Sequence, residues 1–422
     1  MSGISSKTQT RLPIPAVTWE THTWAPRSHS AAALGVSARE LRRQAGDYQS
    51  AGPATLTPWH PSISGPLGTD IDEATQELVT FDNYGAQRLG KDAAALGPMS
   101  AILLRTESGS SSEIEQLTSG AKQLALAELN ERSGANAQAV VGNVRAMEAA
   151  LDLASEVSEA TVLAMHQGLL SRHSGLNEHA GRYRRELVWV GPGVAGPLAA
   201  DFVAAQPELI GPAMDDLMTF ADRADLPALM QIAVAHAQFE TIHPFVDGNG
   251  RTGRALAHAM LRNKGLVNNI TTPLSAGLLT DTDSYFDALT AFRSGDAGPI
   301  TERFAFAARF AALTGRELVD RLAEQLEEAR HRLTGVRSDS KAHQILPLLI
   351  AHPVVNSHFL RQQLGLSAPG VHRALATLVD RSVLIKTSSR TRNQVWQHPG
   401  ILAVLDEYAA KVRRSRPGAL WS

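Results

Sequence analysis

The feature that most constrains this chain is the stretch His243–Arg254, which reads HPFVDGNGRTGR. An apolar run with helical spacing precedes it at residues 226–239, and another follows it at residues 255–266. This pattern predicts a glycine-rich loop that leads directly into the first turn of a helix. The N–H groups of that turn have no partner within the helix, and the helix dipole adds positive potential. The loop is therefore expected to attract an anion.

The side chains of the stretch suit a phosphate-bearing ligand. Gly248 and Gly250 let the backbone approach a phosphate closely because they carry no Cβ. Arg251 and Arg254 lie three positions apart, so they share a helix face and offer guanidinium groups for bidentate contacts. Asp247 is a hard oxygen ligand of the kind that Mg²⁺ uses together with phosphate oxygens.

His243 supplies what such a site still requires. Its imidazole is the only group of the stretch that exchanges a proton near neutral pH without a large pKa shift. The stretch therefore predicts a site for a nucleoside polyphosphate with a general base beside it. The alternative is a glycine-rich loop with a histidine packed in the core.

The same stretch resembles the signature loop of Fic-domain proteins, His-x-Phe-x-Asp/Glu-Gly-Asn-Gly-Arg-x-x-Arg, with every defining position filled. The resemblance implies a protein adenylyltransferase: a Ser, Thr or Tyr hydroxyl of a target protein attacks the α-phosphate of ATP, AMP is transferred and pyrophosphate leaves. It implies that His243 is the base and that Asp247 holds Mg²⁺. Related phosphotransferases carry Lys where Gly250 stands, so this chain favours nucleotidyl transfer. The implied ATP-binding residues are Gly248, Asn249, Gly250, Arg251, Arg254 and, near the adenine, Tyr285.

A serine-rich stretch around Ser111 has a purely local interpretation. Ser110 or Ser111 predicts the N-cap of a helix that continues to Asn130, with acidic residues on its surface.

The same stretch, Ser111–Glu115, resembles the inhibitory motif of Fic proteins, Ser/Thr-x-x-x-Glu-Gly/Asn. The resemblance implies that Glu115 pairs with Arg254, occupies the place of the γ-phosphate and repels it. The sequence departs from the motif at Gln116, where Gly or Asn is usual, and Glu113 is the second candidate for the inhibitory carboxylate.

Tyr183–Gly191 is the clearest short strand in the sequence, because β-branched and aromatic residues dominate it. In Fic proteins a β-hairpin flap at this place holds the main chain of the target by strand pairing. An ordinary edge hairpin is the alternative. The implied target-docking residues are Arg185, Glu186, Leu187, Val188 and Trp189.

The C-terminal part differs in charge from the rest of the chain. Residues 341–422 hold 11 Lys and Arg but 3 Asp and Glu, although the net charge of the whole chain is −2. Its order of helices and short strands resembles a winged helix-turn-helix, which implies contact with DNA phosphates. A winged helix that only dimerises or contacts protein is the alternative. The candidate DNA-binding residues are His372, Arg373, Arg390 and Arg392.

The predicted fold is mainly α: a helical Fic core with a small β-hairpin flap, followed by a winged helix-turn-helix domain. Apolar residues in a 3,4 spacing at 319–333 follow the pattern of a short coiled-coil seam, which leaves a homodimer open, and packing of this helix on the Fic core is the alternative. The proline- and tryptophan-rich start is expected to be an extended arm, with a tryptophan-lined peptide groove as the alternative. The predicted segments are the N-terminal arm and helical region 1–98, the Fic core with its inhibitory helix 99–315, a linker helix 316–340, the winged helix-turn-helix domain 341–405 and a basic tail 406–422.

The composition of the chain indicates the cellular compartment in which we expect it. The chain has no cysteine, which excludes disulfides and thiolate metal sites, and it has no run of about 18 apolar residues that predicts a membrane span. With no secretory signal at its start, we expect a cytoplasmic protein, and its alanine and arginine content suggests a bacterial source. Two other functions stay open: a nucleotide-sensing DNA-binding transcriptional regulator, and a Fic enzyme that removes AMP or transfers another phosphate-containing group.

Overall fold

The structure, a computed structural model, describes residues 11–26, 37–63, 65–89, 93–173, 175–191, 196–387 and 394–415. It is mainly α, which confirms the predicted fold class. The described helices are α1 (Ala38–Arg43), α2 (Gly65–Leu89), α3 (Ala93–Ile114), α4 (Ala121–Glu128), α5 (Ala135–Asp152), α6 (Glu159–Leu170), α7 (Ile210–Asp222), α8 (Ala228–Ile242), α9 (Asn249–Asn263), α10 (Leu274–Leu279), α11 (Thr282–Arg293), α12 (Gly298–Arg332), α13 (Lys341–Ala351), α14 (Ser357–Leu364), α15 (Ala368–Asp380) and α16 (Pro399–Arg414).

The described strands form three small antiparallel sheets. Two sheets have two strands each, and the third has the order β5-β7-β6. The strands are β1 (Thr18–Trp24), which pairs with β2 (Gly46–Gly52), β3 (Trp189–Val190), which pairs with β4 (Phe202–Val203), and β5 (Val354–Asn356), β6 (Ile385–Lys386) and β7 (Val395–Gln397).

The chain divides into two compact units, and the first consists of Met1–Asp72, Ala149–Lys264 and Asp283–Phe304. Helix α8 lies at its centre, because every residue from Leu229 to Ile242 is buried. Helices α7 and α9 pack on α8. Gly253 of α9 lets α9 approach α8 closely, since a Cβ at Gly253 would lie 2.9 Å from Phe239 of α8. The site described below is built on the end of α8 and the start of α9.

The N-terminal arm belongs to this first unit. Its backbone is extended and hydrogen-bonded to the turn after α11: Ile14 N donates to Gly295 O at 3.2 Å, and Val17 N donates to Arg293 O at 3.0 Å. Leu12, Ile14 and Val17 are buried. Trp59, which the alternative placed in a peptide groove, is buried 6.3 Å from the ring of Phe220.

The second unit consists of Glu73–Glu148, Gly265–Thr282 and Ala305–Ser422. One apolar core joins α3, α12 and the helices that follow residue 340. Burial of such aliphatic side chains contributes roughly 1.5–3 kcal/mol for each one removed from water. Its members include Met99, Ile102, Leu103, Leu322, Leu326, Ile345, Leu349, Leu375, Leu405 and Val412.

Within this unit, residues 341–397 contain the helices and strands that the sequence predicts for a winged helix-turn-helix. Ser367 caps α15 by accepting from Gly370 N at 3.3 Å, as predicted. In the chain, β5 comes directly before α14, and β6 and β7 follow α15. These three strands form the sheet with the order β5-β7-β6. The predicted basic tail is wrong for its first residues, because 399–414 form the helix α16 with buried Leu402, Leu405 and Val412.

The predicted N-cap at Ser110 or Ser111 is also wrong. Helix α3 runs without interruption from Ala93 to Ile114, so both serines lie buried inside it, and a separate short helix, α4, follows. The reason is a tertiary contact. Asn143 on α5 donates its side-chain amide to Ser108 O at 2.9 Å and to Ser112 Oγ at 3.3 Å, which holds this serine-rich turn in the helix.

Helix α12 joins two segments that the sequence analysis separates. It has 35 residues, and the predicted boundary at residue 315 falls inside it. The apolar seam at 319–333 is buried in the core of the second unit, so it is not an exposed coiled-coil surface. None of the helices in the described ranges, α12 included, is both long enough and apolar enough to cross a membrane.

Candidate active site

His243 ends α8 in an unusual backbone conformation. Its φ of 52° and ψ of 61° lie in the left-handed region, which is costly for a residue with a Cβ. The backbone N–H of His243 still donates to Phe239 O at 2.9 Å, so the helix closes normally before the chain turns away. The strain is therefore confined to the residue predicted as the base, and surrounding contacts must hold it.

Arg184 provides those contacts. Its buried guanidinium donates from Nε to His243 O at 2.8 Å, from Nη1 to Glu186 O at 2.8 Å and from Nη2 to Ala205 O at 2.6 Å. Its own N–H donates to Pro244 O at 3.0 Å. One buried cation thus joins the turn at His243 to Glu186 in the predicted flap and to Ala205 beyond it. Burial lowers the pKa of Arg184 to about 10, so it stays charged at neutral pH.

The loop after His243 rests on an aromatic stack. His166 from α6 lies parallel to Phe245, with ring centroids 3.7 Å apart. Gly181 N donates to His166 Nδ1 at 3.0 Å, which leaves Nε2–H to donate to Asp247 O, also at 3.0 Å. Burial lowers the pKa of His166 to about 4, so the ring is neutral and this tautomer persists. His166 is therefore a packed histidine, and what it packs against is the signature loop.

The ring of His243 is oriented for proton acceptance at one nitrogen. Its Nδ1 lies 3.4 Å from Glu240 O and 3.8 Å from Glu240 Oε2, so Nδ1 carries the hydrogen and Nε2 keeps its lone pair. The side chain is 17% exposed. Burial, and next the charge of Arg293, lower the pKa of His243 to about 3. The imidazole is therefore neutral throughout the physiological range.

Arg293 approaches the same region from α11. Its Nη2 donates to Glu240 O at 3.3 Å, and its guanidinium carbon lies 3.6 Å from the centroid of the Phe202 ring in β4. Burial lowers the pKa of Arg293 to about 10, and it remains a cation at neutral pH. A fixed positive charge beside the imidazole opposes its protonation.

The glycine-rich loop has the predicted position at the start of a helix. Gly248 is the N-cap of α9, with a φ of 78°, and a Cβ there would lie 2.5 Å from Leu169 Cδ2. Both facts demand glycine at this position. The N–H groups that open α9 point toward the mouth of the loop, as the first N–H groups of any helix do. The geometry matches an anion site of the predicted kind.

Asn249 has a different role from the one predicted for its side chain. Its Oδ1 accepts from Phe245 N at 2.8 Å, and its Nδ2 donates to Phe245 O at 2.8 Å. Because these two bonds hold the loop closed, the side chain of Asn249 shapes the cradle.

The two signature arginines, Arg251 and Arg254, are both buried. Arg251 Nη2 lies 3.2 Å from Asp247 Oδ2. Two buried guanidinium groups close to the start of α9 give this end of the first unit a strong positive potential.

Asp247 fits a magnesium ion only as one ligand among several. Its side chain is 44% exposed at the loop, and no cluster of three His, Asp, Glu or Cys that could hold a metal occurs in the part of the chain that the structure describes. Mg²⁺ commonly binds through one or two carboxylates, with waters and substrate phosphates completing its octahedron. The donor set therefore suits Mg²⁺ that arrives with a nucleotide, and not a structural metal.

Tyr285, predicted near the adenine, is 1% exposed. Its hydroxyl lies 2.8 Å from His236 Nε2, and the two rings are stacked at 5.9 Å. The neighbouring Phe286 is the exposed member of this aromatic pair. Tyr285 thus supports α8 from within the first unit.

The predicted flap contains far less strand than the sequence indicates. Only Trp189 and Val190 form β3, and they pair with Val203 and Phe202. Arg185 and Glu186 are exposed, while Leu187, Val188 and Trp189 are half-buried. The strand fails to extend toward residue 183 because Arg184 directs its backbone to Pro244 and not to a neighbouring strand. Trp24 of β1 packs on Trp189 with ring centroids 5.7 Å apart.

The segment that resembles the inhibitory motif closes α3. Ser111 is buried in the helix, Glu115 follows its last residue and is half-buried, and Gln116 is exposed. Leu117 N donates to Ser112 O at 3.0 Å across the turn. Gln116 has a φ of 63°, the left-handed conformation that Gly and Asn adopt at least cost. This conformation explains why Gly or Asn is usual at this position of the motif. The backbone of Gln116 is therefore strained.

In the C-terminal region, α15 exposes His372 and Arg373 on one face, and Lys386 is exposed on β6. Arg390 and Arg392, which the sequence analysis also assigns to DNA contact, lie outside the described residues.

Sequence reasoning missed the residues that hold His243 in place. Arg184 stands between Tyr183 and Arg185 in a segment that predicts a strand, and nothing local marks it as buried. Arg293 lies about 50 residues after His243, at the end of a helix. Only the tertiary structure brings these two guanidinium groups to the imidazole.

The site lies in a region that matches known proteins. Residues 156–261 match the family described as Fic/DOC. A probable protein adenylyltransferase of Aquifex aeolicus (strain VF5) is 33% identical over 112 residues, which is 26% of this chain and 32% of that protein. Protein adenylyltransferase fic-1 of Caenorhabditis briggsae is 31% identical over 110 residues, which is 26% of this chain and 20% of that protein. The chain thus spans about a third or less of the length of these relatives.

A solved structure is also similar, that of a Fic family protein from Desulfovibrio desulfuricans G20. It has a TM-score of 0.49 and 24% sequence identity, and the match covers 80% of this chain and 97% of that one.

Proposed function

We propose that this chain, which carries a Fic domain at residues 156–261, is a protein adenylyltransferase that moves AMP from ATP to a Ser, Thr or Tyr hydroxyl of a target protein. The observation that carries the proposal is the orientation of His243. Its Nδ1 faces Glu240 and its Nε2 keeps a lone pair, beside a helix start with two buried arginines. That combination provides a base and an anion site in one loop.

In the proposed reaction, the triphosphate lies on the N–H groups that open α9, with Arg251 and Arg254 neutralising its β- and γ-phosphates. The target hydroxyl oxygen forms a bond to the α-phosphorus as the bond from that phosphorus to the bridging oxygen breaks. His243 Nε2 takes the hydroxyl proton, and the electron pair of the broken bond leaves on pyrophosphate. Asp247 would hold Mg²⁺, which when bound offsets negative charge on the phosphates.

Autoinhibition is part of the proposal. A carboxylate that engages Arg254 competes with the γ-phosphate for the same guanidinium and repels it. Glu115 is the candidate by its resemblance to the family motif, with Ser111 in the serine position. Glu113, the second candidate, lies 3.2 Å from Arg413 Nη1.

The test uses the full chain with Mg²⁺ and ATP labelled at either the α- or the γ-phosphate, in the presence of bacterial extract. Label from α-³²P-ATP is expected to remain on protein, and label from γ-³²P-ATP is not. His243→Ala should abolish labelling, whereas His173→Ala, at an exposed histidine of the same unit, should leave it unchanged. Retention of the γ-phosphate label on protein would instead establish phosphoryl transfer. If even the Glu115→Gly variant transfers no label from α-³²P-ATP to protein, the proposal is rejected.

A second function, contact with DNA, is favoured by the exposed His372 and Arg373 on α15 and by the positive charge of residues 341–422. Binding through phosphate contacts weakens steeply as salt rises. A duplex mobility shift at two salt concentrations, with Arg373→Ala as the variant, tests it. A shift that neither salt nor Arg373→Ala reduces would reject this surface as the DNA-binding face.

A further inference from the structure

The second unit contains a cavity of about 240 Å³ beside the segment that resembles the inhibitory motif. One wall is the C-terminal half of α3, and the opposite wall is α16. Helix α4 and the loop that precedes it close the space between them. The volume lies just below the range of roughly 300–1,000 Å³ that drug-sized ligands occupy, so the cavity suits a smaller molecule.

Two guanidinium groups line this cavity with donors to spare. Arg105 is 11% exposed and uses Nε for its ion pair with Glu128. Its two terminal amino groups donate to none of the residues that the structure describes. Arg413 is 48% exposed and uses only Nη1, which lies 3.2 Å from Glu113 Oε1. A mostly buried guanidinium with uncommitted amino groups is a strong site for a carboxylate.

The remaining charges of the cavity restrict what that carboxylate belongs to. Three carboxylates, Glu113, Glu128 and Asp406, line it against two guanidinium groups. A ligand that brings only negative charge therefore meets net repulsion. A ligand that carries an ammonium group as well as a carboxylate can pair with the carboxylates and with the guanidinium groups of the cavity.

The body of the ligand must be mainly apolar, because most of the residues that line the cavity outside α3 are apolar. Arg105 and Glu113 lie eight positions apart on α3, a separation of about 12 Å along the helix. Between them α3 lines the cavity with Thr106, Gly109 and Ser110, and Gly109 leaves open space, since nothing lies within 4 Å of where its Cβ would stand. The apolar lining includes Ile102, Leu124, Leu279, Leu405, Tyr408 and Val412.

From this arrangement we infer that the cavity is a binding site for a small apolar α-amino acid. Its carboxylate pairs with the free amino groups of Arg105, its ammonium group faces Asp406 and Glu113, and its side chain packs against Leu124 and Leu405.

The location gives such a ligand a regulatory role, an inference that rests on the proposed autoinhibition by Glu115. Helix α3 carries the cavity wall and ends at Ile114, directly before Glu115. A ligand stabilises the conformation to which it binds. The amino acid therefore favours the intact α3 over any state in which its last turn is displaced, and it lowers the activity of the enzyme.

Binding is tested first, without any measurement of activity. Calorimetry on the full chain uses L-leucine, L-methionine and L-phenylalanine at up to about 10 mM, together with the N-acetyl and methyl ester forms of each. At least one free amino acid is expected to bind, and both of its derivatives at least tenfold more weakly. Absence of binding by all three, or equal binding of a free amino acid and its derivatives, overturns the proposal.

Two glycines of α3 provide a matched pair of variants. Gly109→Leu places a side chain in the cavity, whereas Gly97→Leu places the same side chain on an exposed part of the same helix, where a Cβ also meets nothing within 4 Å. Gly109→Leu should abolish binding and Gly97→Leu should retain it. Undiminished binding in a folded Gly109→Leu variant, judged by its unfolding transition, shows that the ligand lies elsewhere.

The regulatory step is tested separately by labelling with α-³²P-ATP. The amino acid should reduce labelling by the unaltered chain several-fold and leave that of Glu115→Gly unchanged. Equal inhibition of both chains would place the ligand's effect outside α3 and reject the coupling. If neither chain transfers AMP, the proposed function fails while the calorimetric result on the cavity stands.

Discussion

At the scale of single residues, the site depends on two buried guanidinium groups that act on His243 in different ways. Arg184 holds the left-handed backbone of His243 through its carbonyl oxygen, and Arg293 places a positive charge near its ring. Neither cation has a carboxylate ligand at hydrogen-bond distance among the contacts described above. Arg184 is surrounded by backbone carbonyls, and Arg293 contacts one backbone carbonyl and the ring of Phe202. Burial of a cation in this way costs desolvation energy and is retained where position matters.

The charge of Arg293 gives a prediction about pH. A histidine base must be unprotonated to act, and its lowered pKa keeps it so down to acid pH, so the unaltered chain should lose no activity between pH 8 and pH 6. Arg293→Met removes a positive charge, raises the pKa of His243 and should move the acid limb of the pH–rate profile upward by about one unit. The profile of AMP transfer measures this.

The control for Arg293→Met is Arg223→Met, because Arg223 also donates to backbone carbonyls of the first unit, those of Thr57 and Trp59. Its profile should match that of the unaltered chain. An acid limb that stays in place in Arg293→Met would show that this charge does not set the pKa of the base.

Arg184 gives a prediction about rate. Arg184→Met leaves three backbone carbonyls without their donor, at about 1–3 kcal/mol for each one that stays buried. Misplacement of a reacting group by about 1 Å can reduce a rate roughly 10²-fold. We expect kcat to fall by about that factor, with partial recovery in Arg184→Lys. Steady-state kinetics measure the change in kcat, and thermal unfolding measures the loss of stability. The positioning role of Arg184 is rejected if the control variant Arg223→Met, once destabilised to a similar degree, loses as much kcat.

At the scale of helices and strands, Gln116 shows what a turn demands of its sequence. Its left-handed backbone at the end of α3 costs about 1–2 kcal/mol for a residue with a Cβ. Because the side chain is exposed, Gln116→Gly should raise the free energy of unfolding by about 1 kcal/mol, while Gln116→Ala should change it by less than about 0.5 kcal/mol. Urea unfolding measures the difference, and equal stability of the two variants would contradict the explanation.

Local signals predict many of the helices but few of their interruptions. The cap at Ser158, which accepts from Thr161 N, needs only residues next to it in sequence. The break at Ser110 is absent because Asn143, about 30 residues away, binds the backbone of Ser108.

The signature loop can be predicted from the sequence because its requirements are local. The residues that hold His243 in place cannot, because they are distant in sequence. Gly248 is required by its own φ, which a sequence motif can record. Arg184 and Arg293 reach His243 from segments about 50 residues away on either side, so no local pattern relates the three. The predicted strand at 183–191 fails because a tertiary hydrogen bond to Pro244 outweighs β propensity.

At the scale of the whole molecule, the apolar seam of α12 is part of a core. Leu322 is fully buried in the second unit. Leu322→Ala should therefore reduce the free energy of unfolding by about 2–5 kcal/mol and leave the oligomeric state unchanged. Chemical unfolding and light scattering measure the two quantities. The control is Leu313→Ala on the same helix, at an exposed leucine, and a dissociated oligomer in Leu322→Ala alone would restore the coiled-coil interpretation.

The attachment of the N-terminal arm has a consequence for how the chain is made. Leu12 N donates to Asp296 Oδ1 at 2.9 Å, and Ala297 N donates back to Leu12 O at 2.8 Å. Leu12 therefore meets these partners only after the ribosome has synthesised the chain through residue 297. Contacts so distant in sequence slow folding, because loop closure precedes any gain. Until then Leu12, Ile14 and Val17 are exposed on the nascent polypeptide, where a chaperone that holds apolar segments has its longest opportunity to act.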